Sequence, residues 1–306
     1  MTLPDLFPGF DARHVETEDA TIFIRSAGNG PPLLLLHGYP QTHVHWHRLA
    51  PELTDRFTVI VADLRGYGAS SIPASNPDHS AYSKRTMALD MLAMMEVLSH
   101  AAFHVGGHDR GGRVAYRMAL DHPDRIKSLL LFDIVPTLDV WNDMRWNTAI
   151  SAYHWPFLAQ PAPMPETLIA ADPKFYSDWT IKSWAGGKTL DHFDSTAVTH
   201  YHAQMSDPAR VHAMCEDYRA GATIDRELDE ADSAAGKTID VPTLMMWSES
   251  YLVARSEAGP EKTWQRWCTN LIAHPIESGH FLAEENPDAC QAAISDFLEK
   301  NPVILT

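Results

Sequence analysis

Val105-Gly106-Gly107-His108-Asp109-Arg110-Gly111-Gly112-Arg113 is the stretch on which the reading of the fold turns. The apolar approach Phe103-His104-Val105 stops at glycines, one acid stands at the bend, and Val114-Ala115-Tyr116-Arg117-Met118-Ala119-Leu120 continues as a helix-like run. This is the layout of a strand–turn–helix nucleophile elbow, with Asp109 where G-x-S-x-G carries its serine. So tight a turn needs small neighbours, because flanking side chains would collide with strand and helix around a strained tip. An aspartate there is ionised at neutral pH and attacks without a base to activate it. It suits displacement of a leaving group from saturated carbon, leaving an alkyl ester that a base-activated water must hydrolyse. The elbow therefore predicts a hydrolase with a covalent aspartyl ester; the alternative is an Asp109 that merely caps the helix.

Outward from the elbow, Thr21–Ile24, Leu33–Leu36, Thr58–Ala62, Ser128–Asp133, Val241–Trp247 and the region of Leu271–Ala273 read as short strands. Several are continuous apolar runs of the kind buried on both faces. Ser83 to Leu98 reads as a helix with Met87, Met91, Leu92, Met94, Met95 and Leu98 on its packing face, and Pro287 to Lys300 as the final helix. Alternating strands and helices predict an α/β fold with a mostly parallel central sheet covered on both faces. In such sheets functional groups gather at the carboxyl ends of strands, where His37, Asp63, Asp109 and Asp133 stand. After Pro136 the alternation stops and Trp141, Trp146, Trp155, Trp179 and Trp184 appear. Residues 1–136 and 237–306 are expected to form the core domain and 137–236 an inserted helical cap.

The chain has 306 residues, is 45% hydrophobic and carries a formal charge of −16, which argues against nucleic acid and anionic membranes as partners. An anionic substrate would need local cations to win at short range, which screening beyond about 8–10 Å permits. Cys215, Cys268 and Cys290 are odd in number and lack metal-ligand spacing, so a reducing cytoplasm is expected. Met1–Pro8 has no basic leader pattern and no apolar run is long enough to span a bilayer.

His280, after a glycine at the end of the last strand pattern, is the candidate base that activates water. A histidine base needs an acid to fix its tautomer; Asp133 is the first candidate and Glu249 the runner-up. The tetrahedral oxyanion of ester hydrolysis needs donors, and the backbone N–H groups of Tyr39 and Arg110 are placed to supply them. Arg110 and Arg113 share one face of the first helical turn beside Asp109. Cations are electrostatically misplaced at a helix N-terminus, so a bound carboxylate, held bidentately by guanidinium forks, is the expected reason for them. The alternative is that one or both pair with Asp63, Asp133 or acids of the cap. His43-Val44-His45-Trp46-His47 has no nearby acidic cluster, so neither a metal nor an organic cofactor is expected.

Gly107–Arg113, His37-Gly38-Tyr39-Pro40, Tyr153-His154-Trp155, Cys215-Glu216-Asp217-Tyr218-Arg219 and Glu277-Ser278-Gly279-His280-Phe281 together resemble the fluoroacetate dehalogenases of the α/β-hydrolase superfamily, over nearly the whole chain. The resemblance implies Asp109 as nucleophile, His280 as base with Asp133, and Arg110 and Arg113 as the carboxylate clamp. It also implies that His154, Trp155 and Tyr218 bind the departing halide; imidazole, indole and phenol can each donate one hydrogen bond to it. The implied partner is a small anionic 2-haloacid, fluoroacetate first, with a homodimer left open. Two departures stand out: Gly112 is expected to loosen the elbow helix, and the cap between Ala159 and Arg210 shapes the pocket in a way the sequence does not give. The rival is an epoxide hydrolase using the same Asp and His, with Tyr153, Tyr176 or Tyr218 protonating the opening epoxide. A haloalkane dehalogenase would carry tryptophan where Arg110 stands, and a non-catalytic small-acid receptor would not need Asp109, Asp133 and His280 together.

Overall fold

The apolar runs build the middle of one eight-stranded sheet. The computed structural model describes residues 3–252 and 258–301; Met1, Thr2 and 302–306, included in the expected core domain, lie outside the described residues, as do 253–257. In chain order the strands are β1 (Asp11–Glu16), β2 (Thr21–Ala27), β3 (Pro32–Leu36), β4 (Thr58–Ala62), β5 (Phe103–His108), β6 (Ile126–Phe132), β7 (Thr243–Ser248) and β8 (Leu271–Ile276). Their order across the sheet is β1-β2-β4-β3-β5-β6-β7-β8. β1 and β2 pair antiparallel, β2 pairs antiparallel with β4, and every later pairing is parallel. All of β3 and β5 is buried, as expected of central strands with helices on both faces. β1 carries no apolar alternation, is exposed at all but Val15, and has no counterpart among the strands expected from sequence.

Helix α1 (Lys84–Val97) starts where Ser83 accepts the Thr86 N–H at 3.1 Å, and it buries Met87, Met91, Met94 and Met95. Helix α2 (Asp109–Asp121) follows β5 with no intervening residue. Between β6 and β7 come α3 (Thr137–Asn142), α4 (Trp146–Ser151), α5 (His154–Leu158), α6 (Met164–Ala171), α7 (Pro173–Trp184), α8 (Ser195–Met205), α9 (Pro208–Ala222) and α10 (Ile224–Ala234). These helices lie within the stretch expected to form the cap. After β7 come α11 (Pro260–Trp264), α12 (Leu282–Glu285) and α13 (Pro287–Lys300), the last with the bounds its sequence pattern gives.

At Gly112, where the sequence suggests a looser helix, the structure shows a close approach: the missing side chain lets α2 sit against β5. A Cβ at this position would fall 2.7 Å from both the Gly107 carbonyl oxygen and Ile134 Cδ1, too close for any side chain. Among the described residues no helix is long and apolar enough to cross a membrane.

Candidate active site

Two carboxylates at strand ends sit on backbone that only a few residue types tolerate. Asp109 has φ +44° at the tip of the elbow, and Asp133, just past β6, has φ +54°. Asp109 is 5% exposed, and its Oδ2 accepts the Tyr39 N–H at 3.0 Å. One nucleophile oxygen is thus already fixed by a donor expected to line the oxyanion hole. His280 reaches Asp133 with Nδ1 2.6 Å from Oδ2, while Asp133 Oδ1 accepts the Ser248 N–H at 2.7 Å. Glu249, the runner-up acid, is exposed at the end of β7. With Nδ1 turned to Asp133, the Nε2 edge of the imidazole is the one left for a water.

Asp109, Arg113, Asp133, His154, Trp155 and His280 line one small cavity of about 40 Å³. A larger one, about 550 Å³, opens between residues 3–6, Arg25, His43 and α8; Asp109, Asp133 and His280 are not on its walls. Chemistry decides between them: only the small cavity brings nucleophile, base and cation together.

The two arginines differ. Arg110 is fully buried and gives one edge to the cap: Nε lies 3.1 Å from both Asp217 oxygens, and Nη2 is 2.5 Å from Oδ1 and 2.8 Å from the Asp217 carbonyl. Lys84 and the Tyr67 hydroxyl, at 2.7 Å, also reach Asp217. Burial opposes ionisation of Asp217, but Arg110 and Lys84 pull its carboxyl far below the usual range. This amends the expected clamp: Arg110 has no free fork, its Nη1 is buried without a hydrogen-bond partner, and it is not among the residues that line the small cavity. Arg113 is 3% exposed; its Nη1 donates to the Val135 carbonyl at 3.0 Å and to Thr137 Oγ1 at 3.1 Å. Its Nε has no partner, and among the described residues no carboxylate pairs with it. Burial first, and then the Arg110 charge, lower its affinity for its proton.

The aromatic cap residues enclose this pair. The Trp155 ring lies 4.5 Å from the Arg113 guanidinium carbon and 5.4 Å from that of Arg110, while Tyr218 lies 4.2 Å from Arg110. His154 is 5.7 Å from Tyr218 and Trp155 is 5.8 Å from it, ring to ring, so the three residues assigned to the halide form one cluster. The Tyr218 hydroxyl is buried without a partner, and burial holds its pKa well above 10, so it stays a donor. The hydroxyls of Tyr39 and Tyr176 are likewise buried without a hydrogen-bond partner.

Not every residue at a strand end belongs to the site. Asp63 accepts the His43 N–H at 2.6 Å and the Ala69 N–H at 2.7 Å, and His37 accepts the Leu64 N–H at 3.2 Å; both brace loops. His45 and His108 stack at 4.5 Å, and burial drives the pKa of His45 down to about 3 and that of His108 well below 6.5. Both are neutral beside His280, whose ring is 4.4 Å from His108. Among the described residues no group of His, Cys, Asp and Glu is placed to hold a metal. Residues the sequence reading gave no role include Asp217, Lys84, Trp184, Glu284 and Glu285; Asp217 stands directly before Tyr218, but nothing in its spacing points to Arg110.

A strained aspartate on a strand–helix elbow, in a mostly parallel sheet with helices inserted after β6, agrees with comparison to known families. The family described as the alpha/beta hydrolase fold matches residues 31–287. The chain is an α/β hydrolase. It is 42% identical over 293 residues to a fluoroacetate dehalogenase from Burkholderia sp, covering 96% of this chain and 95% of that protein. To a soluble epoxide hydrolase from Corynebacterium sp. (strain C12) it is 30% identical over 264 residues, covering 86% and 88%. Among solved structures, an α/β hydrolase of Nostoc sp PCC 7120 superposes with TM-score 0.91 at 46% identity, covering 94% of this chain and 98% of that one. A mutant of a Pseudomonas aeruginosa protein, provisionally described as an epoxide hydrolase and solved with bound MFA, gives TM-score 0.90 at 42% identity, covering 97% and 98%.

Proposed function

We propose that this α/β hydrolase cleaves short 2-haloacids, fluoroacetate foremost, to the 2-hydroxy acid and halide. The observation that carries the reading is Arg113, whose Nε is buried without a partner and which shares the wall of the small cavity with Asp109. Arg113 is a buried cation without a counter-charge, which is costly, and a substrate carboxylate offsets that cost where an uncharged epoxide cannot. Arg110 and Arg113 hold the carboxylate. Asp109 Oδ1 attacks the α-carbon while Oδ2 stays on the Tyr39 N–H, and the carbon–halogen electron pair leaves with the halide toward His154, Trp155 and Tyr218. Water then gives its proton to His280, whose positive charge Asp133 stabilises, and adds to the ester carbon. The oxyanion forms at Oδ2, where the Tyr39 N–H already points, with the Arg110 N–H as second donor. Collapse breaks the Cγ–Oδ1 bond, His280 returns its proton to the departing glycolate oxygen, and loss of the remaining water proton restores the Asp109 carboxylate. The cavity of about 40 Å³ suits an acid of only a few heavy atoms.

A second reading, epoxide hydrolysis, is favoured by the hydroxyl group of Tyr218 buried without a partner and by Tyr176 near Tyr153. The test is halide release read by an ion-selective electrode. Fluoroacetate and chloroacetate are run beside a styrene-type epoxide whose diol is quantified. Release from the haloacids with the epoxide untouched is expected. Brisk diol formation with no halide would replace this reading by the second.

A further inference from the structure

We propose that Glu285 is a positioning residue that seats the base His280 against the cap, so that hydrolysis of the ester depends on it while formation of the ester does not. The proposal rests on the reaction assigned above. Glu285 ends α12, and its carboxylate accepts three backbone N–H groups. Phe281 donates to Oε1 at 3.0 Å; Gly279, at 2.9 Å, and Gly186, at 2.7 Å, both donate to Oε2. Two of these donors flank His280. The third lies beyond α7, two residues after Trp184, whose carbonyl accepts the His280 N–H at 2.9 Å. The Trp184 ring lies 5.5 Å from the His280 ring and 4.3 Å from that of His154. One carboxylate therefore joins the loop bearing the base to the segment that walls the halide cluster.

Two glycines make this seam close. A Cβ on Gly279 would fall 2.1 Å from the Gly186 nitrogen, and one on Gly186 would fall 2.8 Å from Glu285 Oε2. Capping α12 needs only the Phe281 contact. The other oxygen spends its lone pairs on the seam. Asp109 itself is placed by the start of α2 and by the Tyr39 N–H, while the His280 carbonyl meets Nε2 of His108, the residue before it, at 2.8 Å. Loosening the seam thus displaces the base and leaves the nucleophile where it is.

The experiment compares single-turnover halide release with steady-state turnover on chloroacetate and fluoroacetate, for the whole chain and for Glu285→Gln. The amide keeps the size of the side chain but cannot offer two acceptor oxygens, so a donor faces a donor at the seam. Steady-state turnover is expected to fall by about 10- to 100-fold, the cost of misplacing a reacting group by about 1 Å. The first-turnover halide burst should keep its rate, and the ester should accumulate by intact mass. Gly186→Ala pushes on the same oxygen from the cap side and should give the same split; it also serves if Glu285→Gln does not fold. A variant in which burst and turnover drop by one common factor, or in which neither changes, overturns the proposal while leaving the reaction intact. A parent enzyme that releases no halide from either acid overturns the reaction assignment and this proposal with it.

Discussion

Replacing Arg113 by methionine separates what this side chain does for binding from what it does for stability. The thioether fills much of the space of the guanidinium stem but removes the charge. Two terms then oppose each other in the unliganded protein. Taking an uncompensated cation out of a buried site is worth about 1–4 kcal/mol. Stranding the Val135 carbonyl, which Arg113 Nη1 now satisfies at 3.0 Å, costs about 1–3 kcal/mol. Thr137 Oγ1 keeps its 2.9 Å contact with the Tyr116 hydroxyl and adds little. The terms nearly cancel, so the variant should be as stable as its parent to within about 2 kcal/mol. For a chain of 306 residues the unfolding entropy is roughly 0.6 kcal/mol per degree, and that window is about 3 °C. Binding behaves otherwise. Acetate, an unreactive carboxylate, at 100 times its dissociation constant should stabilise the parent by about 2.7 kcal/mol, a shift of about 4 °C. Arg113→Met should show almost none. Losing one partner of a buried charge pair costs about 2–5 kcal/mol, so kcat/KM for fluoroacetate should drop between roughly 30-fold and several thousand-fold. The assays are thermal unfolding with and without acetate, and fluoride release. An undiminished acetate shift together with parental kcat/KM would refute the clamp. A collapse in unliganded stability would mean that Arg113 is a structural residue.

Other changes test neighbouring parts of the site. His280→Ala should still release about one halide per molecule and then stop, with a mass gain of about 58 Da for the trapped ester; no mass gain while substrate still binds would contradict the order of steps. Asp217→Asn leaves Lys84 and Arg110 as adjacent buried cations, and breaking such a buried pair should cost about 3–5 kcal/mol, a fall in Tm of about 5–8 °C. Removing the Lys84 charge as well should recover part of that loss, and an unchanged Tm in the single variant would show that the pairing adds nothing. Burial raises the Glu284 carboxyl from 4.5 to about 7, despite its contacts with Gln41 and with the Tyr201 hydroxyl at 2.9 Å. Between those values the folded protein binds the extra proton, so this group makes stability fall as pH rises from 4.5 to 7, by up to about 3 kcal/mol. Urea unfolding at several pH values should show a shallower slope for Glu284→Gln, and an identical slope would remove Glu284 from the account.

The parts of the fold that were legible from sequence are those in which one local demand fixes the answer. Leu33–Leu36 and Ser128–Phe132 are continuous apolar runs, so they go to the middle of a parallel sheet, and the structure puts them in β3 and β6. The elbow was legible because a tip residue at φ +44° demands glycine-rich surroundings, which a sequence displays openly. Asp11–Glu16 was not legible: an exposed edge strand needs no apolar pattern, only the unpaired backbone of β2 beside it. At the site the limit has the same cause. Arg110 and Arg113 are three residues apart on one helical turn and look equivalent as letters, yet α9 brings the Asp217 carboxylate to one of them and no carboxylate to the other. Which arginine keeps a free edge depends on where α9 and its insertion lie across the sheet, a contact spanning 107 residues that no spacing along the chain encodes. Glu285 is hidden for a related reason, since its partners are backbone N–H groups and any residue supplies one. Geometry that converges on main chain leaves a trace in sequence only through what it forbids, here the side chains missing at Gly186 and Gly279.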